Sequence, residues 1–111
     1  MAIDPSGFSI TISERNGRAV VAVSGELDLA TSPELEEAVL ERLDAGQDVV
    51  VDLRELQFMD SSGLAVLVTA HTRAADGGPD FAIVRPREGT EVAKILDIAG
   101  IEQQLHVVEE P

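Results

Sequence analysis

The chain has 111 residues, 44% of them apolar, which suits one ordinary globular core rather than a disordered segment. Its 21 Asp and Glu against 8 Lys and Arg give a net charge of −13, so a nucleic-acid phosphate backbone would repel it. With no cysteine, disulfides and thiolate metal sites are excluded, and no apolar run approaches the roughly 20 residues that span a bilayer.

The start, Met1-Ala2-Ile3-Asp4-Pro5, lacks the basic and apolar regions of a secretory signal, so a cytoplasmic location is expected. Residues 1–7 read as a frayed start. Phe8, Ile10 and Ile12 alternate with Ser9, Thr11 and Ser13, the pattern of a half-buried strand. Asn16-Gly17 tolerates positive φ and predicts a tight hairpin into Ala19–Val23. Ser24-Gly25-Glu26-Leu27-Asp28-Leu29-Ala30 then reads as an exposed acidic loop at the strand's C-terminal end, where α/β proteins place binding groups. A plain solvated connection has the same composition. A magnesium site there lacks a histidine or a third well-spaced acid.

Thr31-Ser32-Pro33-Glu34 is a helix start, with Thr31 and Glu34 at capping-box spacing. Leu35, Ala38, Val39 and Leu43 share a face, Glu36, Glu37 and Glu41 lie away from it, and Gly46 closes the helix. Asp48 to Leu53 has a continuous apolar centre, as a strand covered on both sides requires. Asp60-Ser61-Ser62-Gly63 then opens a second helix, running from about Ser61 to Asp76. Asp60 or Ser61 is its N-cap, which puts Ser62 at the first or second helical position, beside free N–H groups and the positive end of the dipole. Apolar residues all round the first turns predict that this helix is buried, with its N-terminus surfacing because Asp60 cannot be buried unpaired. Capping alone would account for both serines. A surfaced serine on a rigid helix end is equally placed for modification by another protein.

Asp80–Val84 is the next strand, Gly89-Thr90 opens a third helix burying Val92, Ile95, Leu96 and Ala99, Gly100 stops it, and Leu105–Val108 is a last strand. Strand–helix alternation with short links predicts an α/β fold with right-handed crossovers and a mainly parallel sheet.

The hairpin, Gly25-Glu26-Leu27-Asp28, the Pro-led helix, Val50-Val51-Asp52-Leu53, Met59-Asp60-Ser61-Ser62-Gly63-Leu64 and Ile95-Leu96-Asp97-Ile98-Ala99-Gly100-Ile101 together resemble the bacterial anti-sigma factor antagonists of the STAS family. The resemblance covers nearly the whole chain, as one STAS domain over 1–111 with a tail at 109–111. It implies a stack of β-α units with an antiparallel N-terminal strand and about three main helices. It also implies that Ser62, the second serine of D-S-S-G, is a phosphorylation site. The acidic loop would lie near that serine, so Glu26, Asp28, Asp60, Ser61, Ser62 and Gly63 become candidate partner contacts. The implied partners are an anti-sigma factor with serine kinase activity and a serine phosphatase, with no cofactor, no metal, no nucleic acid and no membrane insertion. In the family the unmodified antagonist binds the anti-sigma factor and frees a sigma factor, and phosphorylation ends the complex. Family members commonly continue into a further C-terminal helix, which this sequence lacks. Either one sheet face is less covered than usual or that helix is not needed, and the chain is expected to be a monomer or weak dimer.

Three other readings compete. A soluble STAS subunit regulating a membrane transporter or a stress-signalling complex shares the fold and can lack a modifiable serine. A small-ligand sensor has few aromatic pocket walls here, with three Phe and no Trp or Tyr. A serine hydrolase needs a base within hydrogen-bond reach of Ser62. His71, nine residues along the same helix, is about 13 Å away. His106, on a separate strand, is not constrained by spacing. There is no G-x-S-x-G elbow, Walker loop or dinucleotide motif, so the expectation is a protein that is not an enzyme.

Overall fold

Asn16 and Gly17 both take positive φ (55° and 83°), which closes a two-residue turn between β1 (Ser9–Arg15) and β2 (Arg18–Leu27). The computed structural model describes residues 7–111; the start predicted to fray lies, but for Gly7, outside the described residues. After β2 come α1 (Ser32–Asp44), β3 (Val49–Met59), α2 (Ser61–Gly77), β4 (Phe81–Val84), α3 (Glu91–Ile98), a single turn α4 (Ile101–Gln104) and β5 (His106–Val108). The five strands lie in the order β1-β2-β3-β4-β5, with β1–β2 antiparallel and every other pair parallel. This is the α/β architecture expected. Among the described residues no helix is long and apolar enough to cross a membrane.

The monotonic strand order dictates the layering. Crossovers of one hand that always step the same way put every helix on the same face. Leu35 of α1, Val66 and Leu67 of α2, Leu96 of α3 and Ile101 of α4 accordingly share one buried cluster with Val21, Val51 and Ile83 of the sheet. Val20, Val50, Ala82 and Val84 point to the opposite face and form a second buried cluster, with Val108 beside it. These four side chains are at most 6% exposed, which corrects the first of the two alternatives, a less covered face. The residues after β5 turn toward this side of β2, where the Arg18 guanidinium donates to the Pro111 carbonyl.

Other expectations also change. β1 is a strand, but not a half-buried one: Ile10 is only half-buried and Ile12 is 42% exposed. It is the sheet's edge, and Phe8, just before it, supplies the buried anchor. Gly25-Glu26-Leu27 is not a loop. It continues β2 alongside β3 through register shifts after Ala22 and after Gly25, pairing Leu27 with Met59. Gly25 has φ +88°, and a Cβ there would lie 2.5 Å from the Gly7 carbonyl oxygen, so only glycine fits. Finally, α2 is not buried all round. Val66, Leu67, Ala70 and Ala74 face the core, while Ala65 and Val68 (40% exposed) face outward.

Candidate functional site

β2 and β3 run parallel and end side by side, so the first turns of α1 and α2 start from one edge of the sheet. The Asp60 amide donates to the Leu27 carbonyl at 3.2 Å, extending the β2–β3 ladder by one bond and tying the two connections together. Between them lie most of the residues the sequence singles out.

Asp60 is the N-cap of α2. Its backbone is extended (φ −112°, ψ −170°), and its Oδ1 accepts the Ser62 amide at 2.9 Å. The same oxygen accepts the Ser62 hydroxyl at 2.5 Å. That hydroxyl bond, with the amides of Ser62, Gly63 and Leu29, holds the Asp60 carboxyl below the usual carboxylate range against a partial loss of hydration. Ser62 thus sits at the second helical position, half-buried, with its only proton committed to a carboxylate. Ser61, one residue earlier, is exposed.

Gly63 is a matter of space, not of backbone angle. A Cβ there would lie 2.8 Å from both Leu27 Cδ2 and Met59 Cγ, side chains that are themselves fully buried. Its absence lets α2 start tight against the ends of β2 and β3.

The Asp28–Thr31 connection is organised by a side chain expected elsewhere. Thr31 and Glu34 form no capping box: the Thr31 side chain makes no cap bond to α1. Its hydroxyl turns back, accepting the Asp28 amide at 2.9 Å and donating to the Glu26 carbonyl at 2.8 Å. Asp28 Oδ1 accepts the Ala30 and Thr31 amides at 3.0 and 3.2 Å. The competition is local: a β-strand ending in a tight turn leaves polar backbone groups that a nearby hydroxyl can satisfy at once. Asp28 therefore shapes the loop, whereas Glu26 is exposed and, among the described residues, forms no ion pair. Leu29, at the tip, is 79% exposed.

One residue of the site was not singled out by sequence reasoning. Ser32, the first residue of α1, is 4% exposed, and its Oγ lies 3.1 Å from Ser62 Oγ. It reads in the sequence as one hydroxyl of a cap; only the juxtaposition of the two helix starts gives it a partner.

Neither histidine can serve Ser62. His71 is on α2, as anticipated, and His106 pairs with Ala82, which pairs with Val50. From Val50, β3 runs nine more residues to Met59, roughly 30 Å at strand rise, so His106 lies at the far edge of the sheet. Among the described residues no group of three potential ligands converges on a metal position. Two surface concavities, of about 340 and 680 Å³, both border Arg85, and Ser62 lines neither.

Residues 10–109 match the family model described as "Mlab, STAS domain". The chain is 34% identical over 90 residues to an anti-sigma-B factor antagonist of Staphylococcus epidermidis, covering 80% of this chain and 82% of that protein. It is 39% identical over 64 residues to the anti-sigma-F factor antagonist RsfB of Mycobacterium tuberculosis, covering 57% of this chain; the match spans only 52% of that relative. In three dimensions it superposes on an anti-sigma factor antagonist from Mycobacterium paratuberculosis with a TM-score of 0.83 at 24% identity, covering 98% of this chain and 92% of the other.

Proposed function

The chain belongs to the STAS-domain family of anti-sigma factor antagonists, and from that premise we propose that it is a phosphorylation-controlled antagonist switched at Ser62. Unmodified, it binds an anti-sigma factor that is also a serine kinase, and so frees a sigma factor. The kinase then transfers a phosphoryl group: Ser62 Oγ bonds to the γ-phosphorus of ATP, the bond to the bridging oxygen breaks, ADP leaves and the hydroxyl proton is released. A phosphatase restores the hydroxyl. The protein acts in the cytoplasm, as a monomer or weak dimer.

The observation that carries this reading is the Ser62 hydroxyl, held by Asp60 at a helix N-terminus beside exposed Ser61. Asp60 fixes the hydroxyl's direction, and a fixed acceptor lowers the entropy of reaching a reactive geometry. The surrounding partner surface comprises Glu26, Ser61 and Ser62 as direct contacts, with Asp28, Asp60 and Gly63 setting the shape of the edge.

Phosphate affects the fold and the interface differently. At the helix N-terminus a negative charge is worth about 0.3–1 kcal/mol, while Asp60 repels it, so the fold changes little. At an interface, a charge near −2 facing one partner acid at about 5 Å costs on the order of 6 kcal/mol at an effective dielectric of 20, before screening by salt. Half of that weakens binding by about a hundredfold. Direct repulsion is a sufficient switch without any conformational change.

The test is capture from lysate of the native cells on wild-type and Ser62→Asp baits, with bound proteins identified by mass spectrometry and the phosphosite mapped after adding ATP. Wild type should retain an ATP-binding kinase, Ser62→Asp should lose it, and phosphate should appear on Ser62. A partner held equally by both baits would sink the proposal. If that partner were a transporter component, the chain would instead be a soluble regulatory STAS subunit.

A further inference from the structure

We propose that Ser32 is a positioning residue of the modification site, and that its buried hydroxyl is the donor that holds the phosphate once Ser62 is modified. The inference rests on Ser62 being the modified residue.

Ser62 has a single hydroxyl proton, and Asp60 Oδ1 takes it. In the contact between Ser32 Oγ and Ser62 Oγ at 3.1 Å, Ser32 must then be the donor and Ser62 the acceptor. Among the described residues Ser32 Oγ has no other hydrogen-bond partner, and at 4% exposure it has little access to water. Its backbone is held by the start of α1. It is the first residue of that helix, its amide donates to the Asp28 carbonyl at 2.8 Å, and Pro33 follows it.

Phosphorylation inverts the two contacts. Ser62 loses its proton, so it can no longer donate to Asp60, and the carboxylate that had oriented the hydroxyl now faces a dianion. The ester oxygen is a poor acceptor, but the terminal phosphate oxygens, one P–O bond further out, are strong ones. Rotation about the Ser62 Cβ–Oγ bond that carries the phosphate away from Asp60 leaves it within reach of Ser32. The α1 amides compete little: the Ser32 amide is bonded to Asp28, Pro33 has none, and the Glu34 amide donates to the Thr31 carbonyl at 3.1 Å. The charged groups around this edge are Glu26 and Asp28 at the end of β2, Glu34 in the first turn of α1, and Asp60. All are acids, and among the described residues none is in an ion pair. In that acidic setting a neutral buried donor favours the phosphate dianion where the carboxylates oppose it.

The test uses the full chain carrying phosphoserine installed at position 62 during synthesis, so it does not depend on any kinase. The second ionisation of the phosphate, near 6 when unperturbed, is followed by phosphorus-31 NMR in wild type, Ser32→Ala, Ser32→Thr and Asp60→Asn. Losing a donor to the charged form raises the pKa, so Ser32→Ala should raise it by about one unit. Ser32→Thr, which keeps the hydroxyl, should restore the wild-type value, and Asp60→Asn should lower it. A purely structural role would leave the titration unmoved or shift both Ser32 variants alike, and either result overturns the proposal. Absence of phosphate on Ser62 in native cells would overturn the switch reading, and would be seen separately.

Discussion

Asp60 and Gly63 hold the same helix start by different means, and substitutions should separate them. Replacing Asp60 by Ala removes the carboxylate that accepts the Ser62 amide, which costs about 1 kcal/mol, the usual worth of an N-cap. Because the Asp60 pKa is lowered in the folded chain, its contribution is fully present above the unfolded value near 3.9 and fades as pH falls toward the folded one. The gap between wild type and Asp60→Ala in urea midpoints should therefore be open at pH 7 and close progressively below pH 4. Gly63→Ala should behave differently. The new Cβ meets the fully buried side chains of Leu27 and Met59 at 2.8 Å, so overpacking costs about 1–3 kcal/mol at any pH. Thermal unfolding should fall by on the order of 5–15 °C, equally at pH 7 and pH 4.

At the scale of elements, the connection from β2 to α1 depends on Thr31 and hardly on Glu34. Thr31→Val keeps the shape but removes the hydroxyl's contacts with the Asp28 amide, the Glu26 carbonyl and Asp28 Oδ1, and should cost about 1–3 kcal/mol. Hydrogen exchange at the Asp28 amide should speed up with it. Glu34→Ala, which a capping box would make costly, should stay within about 0.5 kcal/mol. The same elements mark where the sequence was legible. Asn16-Gly17, the Pro-led start of α1, Gly46 and the Thr90 cap of α3 each act through neighbours a few residues away, and each appears where it was expected. The site edge was legible too: Asp60 caps Ser62 within two residues. What the sequence did not disclose depends on partners far along the chain. Gly25-Glu26-Leu27 looks like a loop until β3 pairs with it, and Phe58 and Met59 look like a linker until they extend β3. Ser32 meets Ser62 only because two helices start from adjacent strand ends. The outward face of α2 and the exposure of β1 follow likewise from the sheet having every helix on one side, a property of strand order rather than of local pattern.

At the scale of the molecule, the proposed switch assigns encounter to the net charge of −13 and the formed complex to Ser62, and the two should divide between rate constants. On the proposed reading the partner surface is basic around the one acid that faces Ser62, so a strongly acidic protein approaches it under a long-range field that salt screens over about 10 Å at 0.1 M. Glu26 is exposed at the edge of the proposed interface, the position of a rim charge. Rim charges change association and its salt dependence, whereas groups inside a contact change dissociation. With the captured anti-sigma factor purified, stopped-flow binding should therefore show the wild-type association rate falling by roughly tenfold between low and high salt, with little change in dissociation. Glu26→Gln should lower association a few-fold at low salt and converge on wild type at high salt. Ser62→Asp adds one charge to a field already set by many, so its association rate should barely move, while its dissociation rate, with half the charge of a phosphate, rises about tenfold. If Ser62→Asp instead slowed association and left dissociation unchanged, the modification would work through the long-range field, and the contact that Asp60 and Ser32 hold in place would not be where the switch is thrown.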